Sequence, residues 1–264
     1  MPVFLTGILW QYGDWFTAAA VFVFFLVGRV ELYALYKVKL CPNISVWQIA
    51  SAILFFAAAI VQPIWVIPCG LLFFWGSCIL TIRHSVSGSR NEFAVHGLTL
   101  LYLLGPLATL PYLRSLDEGA SFLYFLLAVA CFTDTGAYFG GKLLGRTKLA
   151  PKLSPNKTWE GAVSGVLLSV AAVALSGYIH SHFWGKTLWI NQPYVFSELL
   201  IVTVILSVIG QIGDLFESAI KRDCGAKDSG VSHTGHGGCL DMIDGFLWIG
   251  PALAAYAIWT ASAP

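Results

Sequence analysis

Charge is what this chain has least of. Of its 264 residues, 11% are Asp, Glu, Lys or Arg, while 57% are hydrophobic and mean hydropathy is +0.75. No soluble domain, internal repeat or low-complexity segment can be picked out. The formal net charge of +1 supplies no global field to attract nucleic acid or acidic partners. The six cysteines, Cys41, Cys69, Cys78, Cys131, Cys224 and Cys239, form no CxxC pair, and several lie in apolar runs. They read as small buried apolar residues, not as a disulfide framework. The first basic residue, Arg29, follows the first apolar run. The positive leader of a cleavable signal peptide is thus missing, and none is expected. A GxxxxGK[ST] phosphate loop is absent, and so is the strict alternation of an outer-membrane barrel.

What the chain has instead is apolar runs of near 20 residues from end to end, the length that crosses a roughly 30 Å hydrocarbon core as a helix. The expected architecture is all-α: a polytopic integral membrane protein of about eight transmembrane helices with a cytoplasm-facing polar site. The expected spans are roughly 14–28, 45–62, 64–82, 97–113, 120–140, 160–180, 198–215 and 245–262. They make a single membrane domain over 1–264, with N-terminal helices in 1–119 and catalytic helices and cytoplasmic loops in 120–264. Pro63 predicts a tight hairpin between spans two and three; Pro68, Gly105, Pro106 and Gly136 are candidate kinks. Arg114 and Lys186 apart, every one of the 15 Lys and Arg residues falls in the loops after spans one, three, five and seven. That asymmetry puts those loops in the cytoplasm and both termini on the other side. Trp10, Trp15, Trp47, Trp65, Trp184 and Trp189 sit near span ends as an aromatic belt. Segment 31–40, with Glu31, Lys37 and Lys39 opposite Leu32, Leu35 and Tyr36, is either an interfacial amphipathic helix or an extension of span one.

Against this background two polar constellations stand out. The first follows span five. Asp134 lies in or at the end of that span, where an ionisable group is expensive and marks a functional site by default. The loop after it carries Lys142, Arg146, Lys148, Lys152 and Lys157 among glycines and prolines. Ser154-Pro155-Asn156-Lys157 then leads into span six, with Thr158 or Asn156 as its N-cap. A helix N-terminus, a hydroxyl and a lysine together suit a phosphate.

The second runs from Asp214 to Gly245. Gly210-Gln211-Ile212-Gly213 reads as a flexible break that ends span seven at Asp214. Asp241 and Asp244, three apart, share a face at the start of span eight. Such carboxylates are the oxygen ligands Mg²⁺ takes, leaving positions for substrate phosphates. Gly235, Gly237 and Gly238 allow close backbone approach before a helix N-terminus. Lys221, Arg222 and Lys227 can neutralise phosphate oxygens. Carboxylates for a metal, cations for phosphate and a Gly-rich turn together predict phosphoryl or nucleotidyl transfer at the membrane surface. Cys224, His233, His236 and Cys239 do not have the spacing of a zinc site. Asp241-x-x-Asp244-Gly245 opens like the motif of the CDP-alcohol phosphatidyltransferases. Trp248-Ile249 stand where that motif has Ala-Arg, however, and no aspartate follows Asp244.

The second constellation resembles the signature of the phosphatidate cytidylyltransferases. The matching residues are Ser218, Lys221-Arg222, Lys227-Asp228, His236-Gly237-Gly238 and Asp241-x-x-Asp244. The first constellation, from Asp134-Thr135-Gly136 to LAPKLSPNKTWEG, resembles the same family, and the two blocks come in its order. Two departures are visible: Met242 replaces the usual Arg between the last aspartates, and His233-Thr234 replaces the usual Leu-Pro. The resemblance implies transfer of CMP from CTP to phosphatidic acid, giving CDP-diacylglycerol and pyrophosphate. It implies Mg²⁺, alone or with a second cation, held by Asp214, Asp241 and Asp244. Ser154, Lys157, Lys221, Arg222, Lys227, His236, Gly237 and Gly238 would bind phosphates, Lys157 and Lys221 also acting in catalysis. Asp134 and Asp228 would support the site from behind. The implied setting is the inner (plasma) membrane, multi-pass, with the active site on the cytoplasmic side; a homodimer is what the family suggests. Three rival readings are another Mg²⁺-dependent lipid-phosphate transferase, a catalytically weakened scaffold, to which Met242 points, and a cation-coupled membrane transporter, whose broken helices would carry intramembrane aspartates.

Overall fold

The computed structural model describes residues 13–39, 41–62, 65–84, 90–184, 196–230 and 238–262. The expected Pro63 turn, Lys186 and the stretch holding His233, His236 and Gly237 lie outside the described residues. Seven helices among those described are long and apolar enough to cross a membrane. They match seven of the expected spans, and the protein is an all-α polytopic membrane protein. The expected third span corresponds to Val66–Ile82, a shorter apolar helix, so length alone does not reach the count of eight. All six cysteines are free.

The chain divides into two compact units, Met1–Ser115 with Asp223–Ile243, and Leu116–Arg222 with Asp244–Pro264. In the first, α1 spans Asp14–Leu35. It ends without a glycine: Lys37 takes a left-handed φ of 55°, and Val38 N–H donates back to Tyr33 O at 3.0 Å, a Schellman-type closure. Residues 31–35 therefore extend span one. Pro42, whose missing N–H costs nothing in a first turn, opens α2 (Pro42–Val61), which packs on α3 (Val66–His84). The next span is composite: α4 (Arg90–Leu98), a π-helical stretch Thr99–Leu104, and α5 (Gly105–Ser115). Pro106 cannot donate to the ladder, and Gly105 N–H reaches Leu100 O, so the expected kink is absorbed as a widened turn.

The core of this unit is aromatic, with Phe25 centred between Phe56 at 6.2 Å and Phe73 at 6.5 Å. Beside it lies a buried polar network that hydrophobicity alone does not reveal. Arg29 Nη1 donates to Gln48 Oε1 at 2.8 Å, Tyr33 OH meets His96 Nδ1 at 2.8 Å, and His96 Nε2 meets Thr81 Oγ1 at 2.8 Å. With no water in the bilayer core, interior polar groups must find such partners on neighbouring helices.

In the second unit α6 (Gly119–Leu144) and α7 (Trp159–Trp184) flank a short antiparallel hairpin, β1 (Lys148–Ala150) and β2 (Ser154–Thr158). The remaining helices are α8 (Phe196–Asp223) and α9 (Cys239–Ser262). α6 and α7 meet backbone to backbone. A Cβ on Gly136 would fall 2.7 Å from Ser164 O, one on Gly161 2.8 Å from Ala137 O, and one on Gly165 2.7 Å from Thr133 O. Gly136-x₃-Gly140 and Gly161-x₃-Gly165 are thus matching small-residue seams. Gly136 is a packing glycine; α6 runs on through it. The seam fixes both ends of the hairpin. Thr158 Oγ1 caps α7 by accepting from Gly161 N–H at 3.1 Å. The Glu160 carboxylate accepts from the amides of Arg146 and Thr147, each at 3.1 Å. Thr133 Oγ1 donates to Ser207 Oγ at 2.8 Å, joining α6 to α8.

Candidate active site

The polar site grows out of α8, which corrects one expectation. The helix does not break at 210–213 or end at Asp214; it runs through to Asp223. Gly210 and Gly213 are there for packing against α9: a Cβ on the first would meet Ile249 Cδ1 at 2.8 Å, and on the second Trp248 Cδ1 at 2.5 Å. Because the helix continues, Asp214, Glu217 and Lys221 stand on one face at i, i+3 and i+7. Asp244, in the second turn of α9, joins them. Asp214, Glu217 and Asp244 each place a carboxylate oxygen within 4.8 Å of the others.

Two lysines answer this charge. Lys157, carried by β2, pairs with Asp214, and Lys221 Nζ lies 3.1 Å from Glu217 Oε2. Glu217 is 2% exposed, a depth at which a carboxylate needs a counter-charge. Three carboxylates against two ammonium groups leave a net negative site with hard oxygen donors, a fit for a divalent cation that keeps places for substrate oxygens. Arg222 Nε donates to Leu153 O at 3.2 Å, tying the hairpin turn to the end of α8. Ser154 opens β2, in register with Ala150. Asp134, exposed on α6, lies within electrostatic reach of Asp214 and Lys157. Asp214, Asp244, Lys157, Lys221, Arg222, Ser154 and Asp134 therefore belong to one unit, with Glu217 added.

The rest of the signature belongs to the other unit. Lys227 and Asp228 are exposed in the segment after α8; His236 and Gly237 lie outside the described residues. Asp241 acts as a capping residue for α9: its Oδ2 accepts from Ser229 N–H at 3.1 Å, Ser229 Oγ–H at 2.9 Å and Gly238 N–H at 2.6 Å. Gly238 is glycine for lack of room: a Cβ there would collide with Ser229 Oγ and fall 2.6 Å from Gly230 N and 2.8 Å from Glu31 Oε2. Glu31, from α1, accepts from the amides of Cys239 at 2.8 Å and Leu240 at 2.9 Å.

Two residues of these constellations were given no site role from the sequence. Glu217 had a local signal, its three-residue spacing from Asp214, which the supposed helix break concealed. Glu31 had none, because its partners lie 208 and 209 positions away.

Residues 1–259 match the Cytidylyltransferase family. A Bacillus subtilis protein named phosphatidate cytidylyltransferase is 42% identical over 142 residues, covering 53% of this chain and 49% of the relative. Proteins of the same name from Staphylococcus epidermidis and Staphylococcus saprophyticus are 41% identical over 145 residues and 46% identical over 137. Those alignments cover 54% and 52% of this chain, and 52% and 49% of the relatives. The chain spans about half the length of the curated relatives it matches. With a match that runs through nearly all of its residues, the chain belongs to the cytidylyltransferase family.

Proposed function

We propose that the protein is a phosphatidate cytidylyltransferase: it transfers CMP from CTP to phosphatidic acid, yielding CDP-diacylglycerol and pyrophosphate. The observation that carries this reading is the group Asp214, Glu217 and Asp244 with Lys157 and Lys221 beside it. Carboxylates that take a metal, and lysines that can turn to phosphate, serve a reaction between two polyanions. Its main obstacle is charge repulsion.

A phosphate oxygen of the lipid forms a bond to the α-phosphorus of CTP, and the bond from that phosphorus to the oxygen bridging to the β-phosphorus breaks. Pyrophosphate leaves with that electron pair. The attacking oxygen is already anionic near neutral pH, so no side chain need remove a proton. Asp214, Glu217 and Asp244 would hold Mg²⁺, which when bound polarises the phosphoryl oxygens and offsets their charge. Lys157 and Lys221 exchange their carboxylate partners for phosphate oxygens as substrate enters. Arg222 and Ser154 bind the remaining phosphates, and the family signature further assigns phosphate contacts to Lys227, His236, Gly237 and Gly238. Asp241 accepts from Ser229 and Gly238, and Asp134 and Asp228 are taken as supporting residues. The concentration of Lys and Arg in alternate loops supports a cytoplasmic-facing site, where CTP would arrive from water and phosphatidic acid from the bilayer.

The test is release of labelled pyrophosphate from γ-labelled CTP by purified protein in detergent micelles. Release that requires both phosphatidate and Mg²⁺ is the expected result. Folded protein that releases none under those conditions overturns the proposal.

A further inference from the structure

Glu31 is a carboxylate in a membrane span, 7% exposed. Its hydrogen-bond partners among the described residues are two backbone amides, Cys239 N–H on Oε1 and Leu240 N–H on Oε2. These are the first two residues of α9, whose amides no turn of that helix can satisfy. Asp241, the helix's own capping residue, is engaged by Ser229 and Gly238. Leu240 is 1% exposed, so water does not stand in for a lost acceptor there, and an unpaired buried amide is costly. A carboxylate at this point also meets the positive end of the helix dipole. The slot at Gly238 completes the fit, since any side chain there would press on Glu31 Oε2.

We propose that Glu31 is a positioning residue for cation binding: a cap supplied by α1 that holds the first turn of α9 so that Asp244, one turn on, is presented for the metal. The proposal rests on the reading of Asp244 as a cation ligand given above. Glu31 does not touch substrate; it acts through α9. Without it the first turn frays, and Asp244, whose Oδ1 is bonded to its neighbouring Gly245 amide at 2.7 Å, loses the helical frame that orients it.

The test uses full-length protein in detergent micelles, with Glu31→Gln, which keeps the shape but removes one acceptor oxygen and the charge. Glu31→Asp, which keeps a carboxylate with shorter reach, is the partial rescue. Two quantities are read: amide hydrogen exchange across residues 238–245, and the Mg²⁺ concentration giving half-maximal thermal stabilisation. In Glu31→Gln, exchange at Cys239 and Leu240 should quicken about tenfold, the size of one lost charge-assisted hydrogen bond. The Mg²⁺ midpoint should rise several-fold, with Glu31→Asp between that variant and wild type. Unchanged exchange overturns the cap. Faster exchange with an unmoved Mg²⁺ midpoint overturns the positioning role, and so does a wild type that Mg²⁺ fails to stabilise. If Glu31→Gln does not fold, Glu31→Asp carries the same comparison. Pyrophosphate release is followed separately; its absence in wild type would refute the proposed reaction while these two readouts still decide on Glu31.

Discussion

Replacing Asp244 by asparagine should make the metal-free protein more stable and the enzyme inactive, and the size of the first effect can be worked from the site. Asp244, Asp214 and Glu217 place oxygens within 4.8 Å of one another. Two unit charges at that separation, in an effective dielectric of about 20, repel by about 3 kcal/mol. Asp244→Asn removes two such pairs. Lys157 and Lys221 offset most of this repulsion through their own contacts, so the net relief is on the order of 1 kcal/mol. In a chain of this size that raises the thermal midpoint by about 2–4 °C. Asparagine keeps the shape of the side chain, so packing against α8 is not disturbed. With Mg²⁺ added the order should reverse, because wild type gains stability from the bound cation and the variant does not. Pyrophosphate release should fall by more than about 100-fold, beyond the loss typical of groups that merely support a ligand. Asp241→Asn makes the contrast: it weakens acceptance from Ser229 and Gly238 and should lower the midpoint without Mg²⁺. The measurement is thermal unfolding in micelles with chelator and with Mg²⁺, beside the pyrophosphate assay. An Asp244→Asn protein that melts below wild type in chelator, still responds to Mg²⁺ and still turns over would refute the metal assignment.

Three further outcomes follow from named contacts. Lys157→Met removes the partner of Asp214 and a phosphate contact of the charge-assisted kind, so kcat/KM for CTP should drop about 10- to 100-fold; an unchanged value would remove Lys157 from the site. Gly165→Ala puts a methyl 2.7 Å from Thr133 O and must push α6 and α7 apart. It should cost about 1–3 kcal/mol, whereas Gly245→Ala, with nothing within 4 Å of the added carbon, should melt at or above wild type; equal melting of the two would contradict the seam. Met242→Arg restores the cation the family resemblance leads one to expect. Met242 is 65% exposed, so the guanidinium needs no buried space, and the rate of pyrophosphate release should rise; a fall would mean that Met242 is itself fitted to the site.

Much of this molecule could be read from its residues because the bilayer leaves few alternatives. Backbone groups in hydrocarbon must be bonded within the segment, so apolar length translates directly into helices, and the seven long ones lie where hydropathy puts them. The helical turn that carries Asp241 and Asp244 was legible, because three residues is a local distance on a helix, but that spacing did not reveal that Asp241 accepts from Ser229 and Gly238. The cap of α7 was narrowed to Thr158 or Asn156, since capping is settled within one turn, and Thr158 provides it. Gly210 and Gly213 were not legible. A pair of glycines before an aspartate gives the same pattern whether the helix breaks or lets a neighbour close in, and only Ile249 and Trp248 across the contact decide between the two. That single ambiguity hid Glu217, because a helix assumed to stop at Asp214 has no next turn on which a second carboxylate can stand.

The two constellations on either side of this ambiguity differ in what holds them. The acidic group on α8 and α9 has lysines supplied from a hairpin strand and from its own helix, so its charge balance is set by β2 and by the face of α8. The first turn of α9 has carboxylates supplied from α1 and from its own third residue, so its geometry depends on a contact closed across 208 positions of chain. A local pattern specifies that α9 begins near Cys239; it cannot specify what accepts the amides of Cys239 and Leu240. In water that acceptor could be solvent. Where the amides are buried it must be a protein group, and only the folded chain determines that Glu31 supplies it. Residues of this kind carry no motif of their own, and they are found by asking where each buried helix end sends its hydrogen bonds.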